Sequence, residues 1–438
     1  MPSVVVVGGG LAGLSAAAAL GEAGFDVDLY EARGFLGGRA TSFPVSPADE
    51  GSEVIDNCQH VLLRCCVNLL DFYRRLGVAD LVRFSSDFYF IEPGGRVSVL
   101  RRGSLPAPLH FAGSFLQLGF LGAADKFAIA RGMLAIRSER NTRQDLDRIS
   151  MLDWLREKRQ TPTAIERFWR QVLVSAINEE LDNMAAVHGF QVFWLGFLSR
   201  PDSHEMGVPA VPLSELYGAH AWRGLNRVQI HLRCPVEKIE LSGSVTVGSG
   251  IARGADFVIA CLPPERLAGV APDLGIDTGW VEYSPITGIH LWFDRPITDL
   301  AHASLLDRTV QWMFNKSDGR YVQLVVSASR SLTNMSKADV IALTLRELQE
   351  FFPAARQAKL ERSHVIKEIR ATFSARPGAE ELRPGPVTRA KNIFLAGDWT
   401  RSGWPATMEG AVRSGYIAAE AVAAAAGMPV KFLIPDLV

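Results

Sequence analysis

The first forty residues constrain the fold more than any other stretch of the chain. Val4-Val5-Val6-Val7 is a short, wholly apolar, β-branched run, as a strand buried on both faces of a parallel sheet requires. It leads at once into Gly8-Gly9-Gly10-Leu11-Ala12-Gly13, a G-x-G-x-x-G. In such a loop Gly8 serves a tight turn, Gly10 lets backbone approach a pyrophosphate, and Gly13 lets helix pack on strand. The Ala-rich stretch Ser15 to Gly24 predicts a helix, and the N–H groups at its start, around Leu11 and Ala12, would face that anion. Asp26 to Tyr30 predicts a second strand ending at Glu31, 18 residues beyond Gly13, where a carboxylate can accept hydrogen bonds from a ribose diol. Glycine fingerprints alone are weak signals. With strand, helix, second strand and terminal acid in register, the stretch reads as a dinucleotide-binding βαβ unit.

A chain of 438 residues exceeds the usual size of a single core, so two domains are expected. A net charge of −1 with 48% hydrophobic residues describes an ordinary globular protein and makes no case for a nucleic-acid partner. The five cysteines, Cys58, Cys65, Cys66, Cys234 and Cys261, are odd in number, with no C-x-x-C and no histidine at ligand spacing. That pattern predicts no structural metal and a reducing, cytoplasmic setting, and Met1-Pro2-Ser3 running straight into a core strand predicts no cleavable leader. From Leu105 to Ala124 there are 20 residues without Asp, Glu, Lys or Arg. Pro106, Pro108, His110, Gln117 and three glycines interrupt them, so a buried or interfacial segment is expected rather than a spanning helix.

Past Glu31 the sequence stops being generic. Glu31-Ala32-Arg33, then Gly37-Gly38-Arg39-Ala40, form a glycine-rich turn with an arginine that can wrap a second phosphate-bearing cofactor half. This E-A-R-x-x-x-G-G-R-A resembles the flavin-binding signature of the amine oxidase and carotenoid desaturase superfamily. The resemblance implies FAD, held by Gly8, Gly10, Leu11, Ala12, Gly13, Glu31, Ala32, Arg33, Gly38, Arg39 and Ala40. It implies an α/β fold: a Rossmann-like FAD-binding domain with an inserted α+β substrate domain. Two later stretches fit the same superfamily. Pro235-Val236 with Ile239, followed by Ala255-Asp256-Phe257-Val258-Ile259-Ala260-Cys261-Leu262-Pro263-Pro264, matches its middle section, where Val236 would meet the adenine half of FAD; read from the residues alone, these are simply strands. Asn392 to Trp399 predicts a strand ending in Gly397-Asp398, which places a carboxylate at the carboxyl edge of a sheet, where open α/β sheets bind ligands. By resemblance Asp398 bonds the ribityl chain, and Ala406, Thr407 and Met408 aim N–H groups at the flavin's pyrimidine end. Ser402, Gly403 and Trp404 include no cysteine for covalent attachment, so a dissociable FAD is expected. The expected division is residues 1–85, 212–283 and 389–438 for FAD binding, 86–211 as a mostly helical substrate region, and 284–388 as its sheet and helix.

Ile55-Asp56-Asn57-Cys58-Gln59-His60-Val61-Leu62-Leu63, followed by Cys65-Cys66 and an amphipathic stretch to Leu76, is similar to the squalene-associated FAD-dependent enzymes, the hydroxysqualene dehydroxylases. That resemblance implies a reductive reaction in which hydride from reduced FAD replaces an allylic hydroxyl. Hydroxide leaves poorly, so a proton donor is needed. His60 is the candidate, with Asp56 or Arg64 as partner; in the alternative, Gln59, His60 and Val61 only pack against the flavin. Trp169, Phe190, Phe193, Trp194 and Phe197 each read as helix core, and together they suit an apolar substrate tunnel. A carotenoid or phytoene-type desaturase, an amine oxidase and a non-catalytic isoprenoid-binding chaperone remain alternatives on this sequence. At about 0.8 kcal/mol per buried CH₂, a roughly thirty-carbon isoprenoid would lose on the order of 20 kcal/mol on entering water. Such a substrate is collected from a bilayer or a partner, so a transient contact with the inner face of the cytoplasmic membrane is expected. Leu105 to Ala124 and the tail Phe432-Leu433-Ile434 are the candidate contact segments.

Overall fold

In a computed structural model, which describes residues 1–45, 53–248 and 250–437, the strand Ser3–Val7 lies at the centre of a five-stranded, wholly parallel sheet. Its neighbours are Asp26–Glu31 and Phe257–Ala260, with Val228–Leu232 and Ile393–Leu395 at the edges. Both faces are covered, which is why all four valines are apolar. Val4 and Val6 pack into a core with Leu14 and Val412, contributed by the helices Leu11–Glu22 and Met408–Ala425. Val5 and Val7 pack into a second core with Val236 and Val245 of a small antiparallel meander. The first and last helices touch through their smallest residues: a Cβ on Gly415 would lie 2.2 Å from the backbone oxygen of Ala12.

A second, seven-stranded sheet runs in the order Leu360–Phe373, Tyr283–Phe293, Tyr321–Val326, Trp312–Ser317, His302–Leu305, Phe88–Ile91, Val97–Leu100. All its pairs are antiparallel except His302–Leu305 with Phe88–Ile91. Phe88–Ile91 and Val97–Leu100 form a hairpin around Pro93-Gly94-Gly95 that belongs to this sheet, so residues 86–211 open with two strands before turning helical. One face of the sheet packs Ile289, Leu291, Met313 and Leu324 against Val340 and Leu348 of the helix Lys337–Phe351. That helix begins where its Ser336 cap accepts from the Asp339 N–H at 3.1 Å. The other face presents Phe314 and Val325 to a helical layer that includes Met151–Glu157, Gln171–Ile177 and Ala186–Phe193.

Leu105 to Ala124 folds as turns around the five-residue helix Ala112–Leu116, and no helix among the described residues is long and apolar enough to cross a membrane. The tail differs from expectation. Phe432 is buried in the core, Glu420 accepts the N–H groups of Phe432 and Leu433 at 2.8 Å, and Ile434 N–H donates to Asn68. With its apolar side chain and its backbone donors satisfied by the body of the protein, this segment is not a free membrane contact.

Candidate functional site

The glycines of the fingerprint are sterically required. Gly8 has φ +112°, and a Cβ there would sit 2.6 Å from the Cys261 carbonyl oxygen. On Gly13 a Cβ would lie 2.0 Å from the Gly8 oxygen. Gly10 caps the helix Leu11–Glu22 without any side-chain acceptor, so the first N–H groups, at Leu11 and Ala12, are left for an anion. Glu31 is held by two backbone donors, Gly9 N–H to Oε2 at 2.7 Å and Arg33 N–H to Oε1 at 2.8 Å. Each oxygen keeps a lone pair for a diol. Cys234 N–H donates to the Glu31 carbonyl at 2.9 Å, which brings the segment leading to Val236 alongside that acid.

The Ala32–Ala40 turn crosses directly over the fingerprint. Gly37 N–H donates to the Gly9 carbonyl at 2.8 Å, Ala40 N–H closes the turn on Gly37, and a Cβ on Gly38 would come within 3.1 Å of Gly10 Cα. Arg39 next to it donates to Asp398 Oδ1 at 2.5 Å and to the Ala371 carbonyl at 3.1 Å. Asp398 is only 6% exposed, and no hydrogen bond reaches its Oδ2 among the described residues. Burial opposes the charge on Arg39, but the Asp398 carboxylate outweighs it and holds the guanidinium's pKa above its ordinary value. Thr407 caps the closing helix, its Oγ1 accepting from Gly410 N–H at 3.0 Å, with Ala406 and Met408 on either side. A bare glycine cradle, an uncapped helix start, a held carboxylate at each end and a second helix start fit an extended dinucleotide with a ribityl arm. The structure thus joins Glu31 to Gly9, the Gly37-Gly38 turn to Gly9 and Gly10, and Arg39 to Asp398 by direct contact, though they come from opposite ends of the chain.

Beyond Thr407 and Met408 lies an apolar cavity of about 510 Å³. Its walls include the buried Gln59, Trp404 and Glu409 beside Thr407 and Met408, and it reaches the surface at the exposed Leu109 and Leu134. Of the aromatics singled out by sequence, Phe193 and Phe197 line it; Trp169 and Phe190 stand behind in the core, with Trp169 edge-on to Phe193 at 4.7 Å. Leu109, in the turn before the helix Ala112–Leu116, is 57% exposed, Leu116 is exposed at the end of that helix, and Phe127 (71%) and Leu134 are exposed on the helix Ala123–Glu139, so the outer end sits in an apolar surface.

Among the described residues no hydrogen bond or ion pair joins His60 to Asp56 or to Arg64. Asp56 is buried, accepts from Ser42 Oγ at 2.7 Å and Leu213 N–H at 2.9 Å, and lies 3.8 Å from Lys316 Nζ. Arg64 turns away to Glu205 at 2.6 Å and stacks on Phe84 at 3.9 Å. His60 Nε2 is 3.0 Å from Asn57 Oδ1. That oxygen belongs to an amide whose nitrogen already donates to the Arg39 carbonyl, so the imidazole donates its proton to Asn57. Burial pushes the His60 pKa down to about 4, which leaves the ring neutral. Gln59 and Val61 are on the cavity wall. Lys316 is a residue that the motifs did not reveal: Nζ donates to Gln59 Oε1 at 3.0 Å, from a strand whose Trp312 and Phe314 line the cavity. Apolar-apolar-basic at every second residue was the available signal.

The neutral His60 has a measurable consequence. An unfolded imidazole takes up a proton below pH 6.5 while the folded one resists until about pH 4, so this stabilisation is intact above that window and lost as pH falls through it. His60→Gln should flatten part of the acid loss of thermal stability, on the order of 2 kcal/mol. Equal acid sensitivity of the two proteins would show that the ring is not held neutral.

The flavin containing amine oxidoreductase family matches residues 11–423 of the chain. The chain is 29% identical over 440 residues to the hydroxysqualene dehydroxylase of Sinorhizobium fredii, spanning 95% of this chain and 97% of that protein. It is 25% identical over 467 residues to the 15-cis-phytoene desaturase of Synechococcus elongatus, spanning 96% of each. Putrescine oxidase bound to putrescine superposes with a TM-score of 0.70 over 98% of both chains at 15% identity, a likeness of fold. With this match running from the fingerprint helix to the closing helix, the chain belongs to the flavin-containing amine oxidoreductase family and is an FAD-dependent oxidoreductase.

Proposed function

We propose that this enzyme reductively removes the allylic hydroxyl of a hydroxysqualene-class isoprenoid alcohol to give the hydrocarbon. The observation that carries this reading is the cavity: apolar along its length, open at an apolar surface, and bordered by the start of the closing helix with Gln59 as a polar group. Similarity to a hydroxysqualene dehydroxylase over nearly the whole chain supports it. Reduced FAD, when bound, supplies hydride. The protein's part is to bind, orient and keep dry. Glu31, Gly38, Arg39, Asp398 and the Thr407 helix start would hold the cofactor, and the aromatic walls exclude water that would recapture an allylic cation. Domain limits at 85, 211, 283 and 388 belong to the same proposal, with substrate segments inserted between cofactor segments.

A second reading, carotenoid-type desaturation, is favoured by 25% and 26% identity to cyanobacterial phytoene and zeta-carotene desaturases over 96% of the chain. Anaerobic incubation of the chemically reduced holoenzyme with hydroxysqualene separates the two: squalene is the expected product. No squalene, together with dehydrogenation of phytoene by the oxidised enzyme, would overturn the dehydroxylase reading in favour of the desaturase.

The cavity mouth is also proposed to rest on the inner face of the cytoplasmic membrane, with Leu109, Leu116, Phe127 and Leu134 inserted and Lys126 and Arg131 near the headgroups. Anionic vesicles should sediment the wild type and leave a Leu116→Ser/Phe127→Ser double variant in the supernatant. Equal sedimentation of both would remove this face as the contact.

A further inference from the structure

The cavity wall is apolar except for a few side chains, and most of those are already engaged. Gln59 Oε1 accepts from Lys316, and its Nε2 donates to the His60 carbonyl. Ser175 Oγ donates to the Gln171 carbonyl and accepts from Trp312 Nε1, both at 2.7 Å. Thr407 Oγ1 caps its helix, and Glu409, whose side chain is wholly enclosed, has both oxygens taken by Asn68 and Leu69. Gln171 is different. We infer that its amide oxygen is the group that recognises the substrate's hydroxyl, accepting its hydrogen inside the cavity. This rests on the dehydroxylase reading and names the residue that tells the alcohol of that reaction from its hydrocarbon product.

Gln171 opens the helix Gln171–Ile177, directly after the π-helical turn Ile165–Arg170. Such a turn closes i→i+5 instead of i→i+4, and so resets which side chains face inward. Past it, Gln171, Val172, Ser175 and Ala176 share one helix face, and all four line the cavity. Gln171 is only 6% exposed, and its amide nitrogen is committed to two acceptors, Ser304 Oγ at 2.7 Å and the Gln311 carbonyl at 3.0 Å. A carbonyl oxygen only accepts, so the nitrogen must face Gln311 and cannot exchange places with Oε1. Gln311 is fixed in turn, its Oε1 accepting from Ser327 N–H at 2.9 Å and its Nε2 donating to the Ser327 carbonyl at 3.2 Å. Gln171 Oε1 is left with no hydrogen-bond partner among the described residues. Unlike Ser203 Oγ, which is also unpartnered, it is not sealed within the protein, and the space that Gln171 borders is the cavity.

An amide oxygen has two lone pairs and no hydrogen to give. A hydrocarbon pressed against it strips its water and offers nothing in exchange, whereas a hydroxyl supplies the missing donor. Nor can the oxygen turn away from an apolar ligand, because turning would break both bonds of the amide nitrogen. Ser327 Oγ, also on the wall and without a partner among the described residues, discriminates less, since a hydroxyl rotates and can donate as well as accept. Gln191 and Arg137 are partly or fully exposed, so solvent serves them whatever the cavity holds, and the thiols of Cys65 and Cys66 accept only weakly. The same contact that holds the alcohol weakens the hold on the hydrocarbon and favours its release.

The test uses the FAD-loaded, oxidised protein, which has no hydride to give, so that the alcohol binds without being reduced. Quenching of tryptophan fluorescence, with Trp312 in the cavity wall, measures affinity for hydroxysqualene, for its methyl ether, which has no hydrogen to donate, and for squalene. Wild type should prefer the alcohol to either of the others by about ten- to hundredfold. Gln171→Met, which keeps the length of the side chain and lacks the amide, should shrink that preference to within about threefold, and Ser327→Ala should keep it. Should Gln171→Met fail to fold because the Ser304 hydroxyl has lost its partner, Gln171→Met/Ser304→Ala removes both members of that bond and should read the same. No preference in the wild type, a preference retained by the Gln171 variant, or one abolished by Ser327→Ala would each overturn the inference. Failure of the reaction reading looks different: reduced protein that makes no squalene from hydroxysqualene, while a Gln171-dependent preference for the alcohol persists, removes the dehydroxylase and keeps the hydroxyl site. Squalene formed by a protein with no such preference keeps the dehydroxylase and removes the role of Gln171.

Discussion

Gly13→Val should yield a protein that purifies without FAD. Any Cβ at this position would lie 2.0 Å from the Gly8 carbonyl oxygen, and the obstacle is backbone rather than a side chain that could rotate away. Nor can the helix Leu11–Glu22 retreat from the strand. On its far side it meets the closing helix, where Ala12 oxygen already lies 2.2 Å from the place a Gly415 Cβ would occupy. Overpacking in a core that can relax costs about 1–3 kcal/mol, and here the relaxation is blocked on both sides. The uncapped N–H groups at Leu11 and Ala12 would move off the pyrophosphate position together. Gly269→Ala is the matched control, since its Cβ would meet nothing within 4 Å. Flavin absorbance at wild-type stoichiometry in Gly13→Val would show that the helix start does not carry the cofactor.

Arg39→Met should destabilise the apoprotein as well as weaken FAD binding. Asp398 is enclosed, and Arg39 is its hydrogen-bonded cation at 2.5 Å. A carboxylate stranded by removal of a fully buried partner costs about 3–5 kcal/mol. Arg39 is itself 39% exposed, so water can partly replace it and about 2 kcal/mol is the better expectation. Arg39→Lys should recover only part of the loss, because one ammonium cannot serve both Asp398 and the Ala371 carbonyl as a guanidinium fork does. Urea unfolding of the FAD-free proteins measures the first effect and flavin titration the second. Unchanged stability in Arg39→Met would mean that Asp398 finds another donor.

What could be read from sequence was local. Val4 to Glu31 declares its strand, turn, helix and strand through composition and spacing. The cofactor acids Glu31 and Asp398 were visible because each ends a recognisable strand. Pairings across long separations were not. Nothing near Phe88 indicates that it shares a sheet with His302–Leu305, and nothing near Asp56 foretells Lys316. Aromatic residues showed that an apolar interior exists, but helix rotation decides that Phe193 and Phe197 face the cavity while Trp169 faces the core. The tail looked like a free apolar tip because Glu420 and Asn68, which hold it, lie on other turns of the fold.

The meeting of Gly415 with Ala12 has a consequence for how such a chain is made. The fingerprint helix leaves the ribosome first, yet the helix that covers it and the Asp398 strand emerge nearly four hundred residues later. The open edge of the first strand is covered once Phe257–Ala260 emerges, but one face of the fingerprint helix and the Asp398 end of the cradle stay bare until the closing segment is made, so synthesis passes through a long interval in which the cofactor cradle is incomplete. Nascent chains stalled before the last fifty residues should therefore be colourless clients of holdase chaperones, and FAD is captured as a final clasp rather than a seed.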